Sequence, residues 1–222
     1  MIINYLNLYL YIMNLLSILV KFIIFITRKY NIDESHGLSH SLNVLHNAYN
    51  IYSSELPKNN FLKNQERVIL ISTLVHDMCD KKYMNQEEGI NEIELFLNTK
   101  IPKDETELIK NIIATMSYST VKKNGFPKLN EYELAYHIVR EADLLAAIDF
   151  DRCMVYDLYT RNENINDAYD NAVKLFEVRV FRHSEDNLYI TEYSKNQDKI
   201  LKQQAIQRIN SWNKIINCKS FI

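Results

Sequence analysis

The chain has 222 residues and a formal net charge of −2, enough length for one well-buried domain and too little positive charge for the basic field that nonspecific nucleic-acid binding requires. Three glycines and three prolines are too few for the turns of an all-β fold, and the glycines are not clustered as a phosphate-cradling loop or a dinucleotide fingerprint demands. Three widely spaced cysteines, Cys79, Cys153 and Cys218, support neither a disulfide framework nor a zinc knuckle. They fit a reducing compartment, so a cytoplasmic protein is expected.

Residues 2–26 are strongly apolar, interrupted by Asn4, Asn7, Asn14, Ser17 and Lys21. They read as a core helix over residues 1–28, with Lys21, Arg28 and Lys29 on its wet side. The alternative is a membrane anchor, which Lys21 opposes because a charge within a span is costly. No basic residue precedes the run and no small-residue cleavage site follows it, which argues against a signal peptide; the start of translation is open between Met1 and Met13. Residues 29–222 are expected to form one domain with a helical extension at its C-terminal end. A loop at 31–35, with Asp33 and Ser35 as capping residues, leads into a helix over 37–54. A turn at 57–60 follows, then a helix over 62–77 and a polar loop over 80–85. Further helices are expected over 86–97, 105–117 and 132–159, with Pro102 and the Gly125-Phe126-Pro127 stretch as breaks. The last third, 166–216, reads as two helices divided at 183–187. The fold class is therefore all-α, a multi-helix bundle.

Four residues interrupt this apolar pattern in a way that points to a metal. His40 heads the ridge His40, Val44, Ala48, one residue per helical turn. His76 and Asp77 end the apolar run that begins at Val68, and Asp143 breaks the apolar stretch around Ala142 and Leu144. Burying imidazoles and carboxylates without partners costs several kcal/mol each, and a cation removes that cost. Two imidazoles and two carboxylates suit one divalent ion, with Mn²⁺ favoured and Fe²⁺, Co²⁺, Zn²⁺ or Mg²⁺ as alternatives. An ion with open positions lowers the pKa of a bound water and polarises a phosphoryl group.

The order His, then His-Asp, then Asp, with the flanks Asp33-Glu34-Ser35-His36-Gly37 and Met78-Cys79-Asp80-Lys81-Lys82-Tyr83, resembles the HD-domain superfamily of metal-dependent phosphohydrolases. It is similar to the small single-domain branch that includes bacterial nucleoside-triphosphate pyrophosphohydrolases. The resemblance spans roughly residues 30–161. It departs from that branch at Leu144 and Ala146, where the branch tends to have Arg and Asp. It implies a compact HD-domain bundle and a hydrolase that acts on a small phosphorylated substrate, a nucleotide in the family's usual sense, with pyrophosphate release as the favoured chemistry.

Around the metal set, Asp80 stands four residues after His76, on the same face if the helix continues, and would orient an attacking water. It could instead support His76 through a hydrogen bond. Lys81 and Lys82 offer charge for phosphate, Lys82 at a position the related branch keeps basic. His36 is a candidate proton donor or phosphate ligand. Ser117, Tyr118 and Ser119 read as the polar end of a helix, while His46, His137 and His183 read as structural and Cys79 as a packing residue. The alternative to an enzyme is a non-catalytic module that binds nucleotide or metal and regulates a partner.

Overall fold

Three helices make the centre of the molecule, and the candidate metal ligands lie on two of them and in the turns just beyond the third. They are α2 (Leu38–Glu55), α3 (Glu66–Val75) and α7 (Glu133–Ala146). In this computed structural model the backbone is described for residues 2–218 and the side chains for residues 14–218. Around the three central helices run α1 (Ile2–Lys29), α4 (Gln86–Leu97), α5 (Lys103–Thr115), α6 (Tyr118–Asn124), α8 (Phe150–Thr160), α9 (Ile165–Val178) and α10 (Glu192–Ile216). Among the described residues there is no strand, and the architecture is an all-α bundle.

The ridge read from the sequence, His40, Val44 and Ala48, is the face α2 buries, and Ile51 beyond it is buried as well. That face packs along α7, and α3 packs against both. From Val68 onward α3 is apolar apart from Ser72 and Thr73, and it is buried from Val68 to Val75 apart from Leu70. Burial of a Leu or Ile side chain contributes about 1.5–3 kcal/mol, so the helices that position the candidate ligands also hold the core.

α1 is part of that core. Leu15, Leu19, Phe22, Ile23 and Ile26 are buried, α1 lies on α3 and α2, and Phe22 stacks on Phe96 of α4 at 4.1 Å between ring centroids. Among the described residues no helix is long and apolar enough to cross a membrane. Asn4, Asn7 and the alternative start at Met13 lie outside the residues whose side chains are described.

Four expectations need correction. The helix expected over 62–77 is a 3₁₀ turn at Asn60–Gln65 followed by α3, which ends at Val75; His76 and Asp77 lie in the turns beyond it. The helix expected over 132–159 is two helices: Ile148 N–H turns back to the Leu145 carbonyl at 3.1 Å, and the Asp149 side chain caps α8 by accepting from Arg152 N–H at 3.1 Å. Neither Asp33 nor Ser35 caps α2, whose N-cap is Gly37 without a side-chain bond. Ser117 is an N-cap rather than a helix end: its hydroxyl accepts from Thr120 N–H and starts α6.

Candidate metal centre

α2 brings His40 and α7 brings Asp143 to the point where α3 ends in His76 and Asp77. His40 Nε2 lies 3.2 Å from His76 Nε2 and 3.2 Å from Asp143 Oδ1, and His76 Nε2 lies 3.6 Å from the same Asp143 oxygen. His40, His76 and Asp143 thus each direct one ligand atom into a common space. Asp77 Oδ2 stands 3.3 Å from each of the two imidazole Nε2 atoms. These separations are those of ligands sharing a single ion at bond lengths of about 2.0–2.2 Å.

The hydrogen bonding supports the same fit. His76 Nδ1 lies 2.8 Å from the Thr73 carbonyl, which only accepts, so Nδ1 carries a proton and Nε2 is the atom turned inward toward the carboxylates. Asp77 Oδ2 is sealed from solvent without a hydrogen-bond donor. Acceptors that converge out of contact with water require a cation or a trapped proton. Burial pushes the pKa values of Asp77 and Asp143 upward, but the adjacent imidazoles outweigh it and hold both carboxylates well below their usual range. Burial likewise lowers the His76 pKa, and Asp77 and Asp143 more than reverse this, holding it well above 6.5.

No family model matches the chain, and no curated protein matches it. A solved structure does: a structural-genomics crystal structure of a Lactobacillus plantarum protein superposes with a TM-score of 0.65 at 18% identity, over 92% of this chain and 97% of that one. At that identity the likeness establishes a shared fold.

A second polar cluster adjoins the centre. His36 is buried; its Nε2 lies 2.7 Å from Lys82 Nζ, and its Nδ1 lies 2.7 Å from Ser35 Oγ and 3.0 Å from the Tyr83 hydroxyl. Asp33 holds this group together by accepting from Ser35 N–H at 2.8 Å, from Tyr83 at 2.7 Å and from the Thr160 hydroxyl. Burial, reinforced by Lys82, Arg152 and His40 against the attraction of Asp77, lowers the His36 pKa to about 3. His36 is therefore a neutral imidazole at neutral pH, fitted to accept from Lys82.

Asp80 reaches the cluster through a turn and not along a continuing helix: its N–H bonds to the Asp77 carbonyl at 3.2 Å. Its Oδ1 accepts from Lys82 N–H at 2.8 Å, and its Oδ2 lies 3.9 Å from His36 Nε2. Lys81 is exposed, and among the described residues it makes no hydrogen bond or ion pair with the cluster. The Tyr118 hydroxyl donates to Asp186 at 2.9 Å. Cys79 is buried, and burial, with Asp77 and Asp80 adding to it, pushes its thiol up to about 12, which leaves it inert as a nucleophile.

The residues that sequence reading missed are on α8. Arg152 donates from Nε to the Ser35 carbonyl and places Nη2 3.9 Å from Asp77 Oδ2. Tyr156, one turn on, has its ring 5.3 Å from Lys82 Nζ. Their i, i+4 spacing was visible, but a single helix over 132–159 gave no reason to direct that face at His36.

Proposed function

We propose that this protein is a metal-dependent phosphohydrolase acting on a nucleotide or a related phosphate ester or anhydride. The observation that carries the reading is the convergence of His40, His76, Asp77 and Asp143 on one space, with Asp77 Oδ2 buried and lacking a donor. Those four residues would hold one divalent ion, with Mn²⁺ favoured and Fe²⁺, Co²⁺, Zn²⁺ or Mg²⁺ as alternatives. A bound ion supplies Lewis acidity toward a phosphoryl oxygen and acidifies water.

The chain's own groups take the remaining roles. Asp80, 17% exposed in its side chain, presents a carboxylate beside the centre that orients an attacking water or receives its proton. Lys82 supplies charge for phosphate, held in place by His36. Pyrophosphate release from a nucleoside triphosphate is the favoured reaction within this class.

The test is release of phosphate and pyrophosphate from a panel of ribo- and deoxynucleotides with Mn²⁺, comparing wild type with Asp77→Ala. Metal-dependent turnover that the variant loses supports the hydrolase and names its substrate class. Folded, metal-loaded wild type that turns over nothing supports instead a module that binds metal and nucleotide to regulate a partner.

A further inference from the structure

Two cations stand beside the candidate metal centre, Arg152 next to Asp77 and Lys82 in the adjoining polar cluster, and consecutive residues anchor them. The Ser35 carbonyl receives Arg152 Nε, and the neighbouring His36 ring receives Lys82 Nζ at 2.7 Å. Both anchors are neutral acceptors, so they fix the position of each cation without cancelling its charge. Asp33 stiffens this short segment by binding Ser35 N–H, Tyr83 and Thr160, which come from three different parts of the chain.

The centre is open on one side. The His40 and His76 side chains are 1% and 3% exposed, whereas those of Asp77 and Asp143 are 14% and 25% exposed. Arg152 stands at this carboxylate side. Its Nη2 is 3.9 Å from Asp77 Oδ2, too far for a hydrogen bond, so the guanidinium keeps the outer edge of its fork available. Lys82 Nζ, 3.5 Å from Asp80 Oδ2, retains donors of its own.

We propose that Arg152 and Lys82 are the two arms of a phosphate clamp over the metal centre, braced at their bases by the adjacent residues Ser35 and His36. The proposal rests on reading the centre as a metal site and extends it to Arg152, which lies outside the metal set and its flanking motifs. A planar fork binds two oxygens of one phosphate, and an ammonium adds a point charge. Four carboxylates (Asp33, Asp77, Asp80 and Asp143) against these two cations leave the metal-free cluster anionic, so the clamp takes its phosphate after the ion is in place.

The experiment titrates inorganic orthophosphate into Mn²⁺-loaded wild type, Arg152→Gln and Arg152→Lys, and titrates Mn²⁺ into the metal-free form of each. Arg152→Gln is expected to bind phosphate at least about tenfold more weakly. Arg152→Lys should recover part of that loss, because it keeps the charge without the fork. Mn²⁺ affinity should be unchanged or tighter in both, since the substitutions do not add positive charge beside Asp77.

Unaltered phosphate affinity in a folded, Mn²⁺-loaded Arg152→Gln protein overturns the clamp, as does absence of phosphate binding by loaded wild type. Loss of Mn²⁺ affinity in both variants also overturns it, by showing that Arg152 only supports the 33–36 segment. Nucleotide turnover separates the two readings. Turnover with an Arg152→Gln KM and phosphate affinity equal to wild type leaves the hydrolase standing and removes the clamp. Phosphate binding that depends on Arg152, without turnover of any nucleotide, keeps the clamp and removes the hydrolase.

Discussion

His76 Nδ1 is fixed on the carbonyl oxygen of Thr73, 2.8 Å away at the end of α3. The partner is backbone, so no side-chain substitution at Thr73 deletes the bond, and the ring is committed to presenting Nε2 toward Asp77 and Asp143. A preset ligand binds an ion without reorganising first. At a Mn²⁺ concentration about a hundred times its Kd, folding stability is expected to rise by about 2.7 kcal/mol, or about 5–10 °C in Tm for a chain of this size. His40→Ala and His76→Ala should each abolish the rise. Scanning calorimetry with and without Mn²⁺ measures it, and a wild-type Tm indifferent to divalent ions would contradict the metal centre.

Metal affinity is expected to fall as pH is lowered. In the metal-free protein Asp77 and Asp143 raise the His76 pKa well above 6.5 against the opposing effect of burial, so protons compete for Nε2 even at neutral pH. Below that folded pKa the Mn²⁺ Kd should weaken by up to about tenfold per pH unit. Binding near pH 7 should release a proton, seen as a buffer-dependent enthalpy in titration calorimetry. Asp77→Asn removes the largest influence raising the pKa and should reduce the proton release.

His183 predicts acid lability. It is fully buried between Tyr118 and Tyr189, with neither ring nitrogen hydrogen-bonded. Burial, then Arg179 and Lys202, outweigh Asp143 and Asp186 and lower its pKa to about 3. Because the folded value lies below the unfolded value near 6.5, the unfolded chain takes up the proton first. The contribution is present above pH 6.5 and is lost as pH falls from there toward 3, at about 2 kcal/mol by pH 5. Urea denaturation at pH 7 and pH 5 should show wild type losing more stability than His183→Phe over that interval; equal losses would contradict the assignment.

Gly89 lies where α4 meets the turn that follows the His-Asp pair. A Cβ there would stand 2.6 Å from Cys79 Cα and 2.7 Å from Met84 Sδ. Met84 can move, but the Cys79 backbone cannot do so without shifting the turn that begins at His76 and Asp77. Gly89→Ala is expected to destabilise the protein by about 1–3 kcal/mol and to weaken Mn²⁺ binding. Chemical denaturation and metal titration of this variant check the two effects separately, and retention of wild-type metal affinity would show that the turn absorbs the strain.

Apolar periodicity made the helical class and the inward face of α2 legible, because His40, Val44 and Ala48 repeat at the spacing that burial selects. The span of α4 was also legible, with Asn85 standing at its N-cap. The division of α7 from α8 was hidden. Ala146, Ala147 and Ile148 are acceptable helix residues, and only the capping carboxylate of Asp149 marks the new start. That one misplaced boundary concealed Arg152 and Tyr156. The brace around His36 was equally hidden, since Asp33, Tyr83 and Thr160 are far apart in sequence and no local rule joins them.

The break between α7 and α8 separates two kinds of work. The candidate ligands belong to α2, α7 and the turns after α3, while Arg152 and Tyr156 ride on α8, which packs chiefly on α9. Phe150 and Met154 tie α8 into the core, whereas substitutions on the face that carries Arg152 and Tyr156 change the rim of the candidate centre and leave the four candidate ligands themselves in place. Under the proposed function, such an arrangement would let substrate preference drift between descendants of one ancestor while the ligand set stays constant, with one exposed helix face as the part that is rewritten.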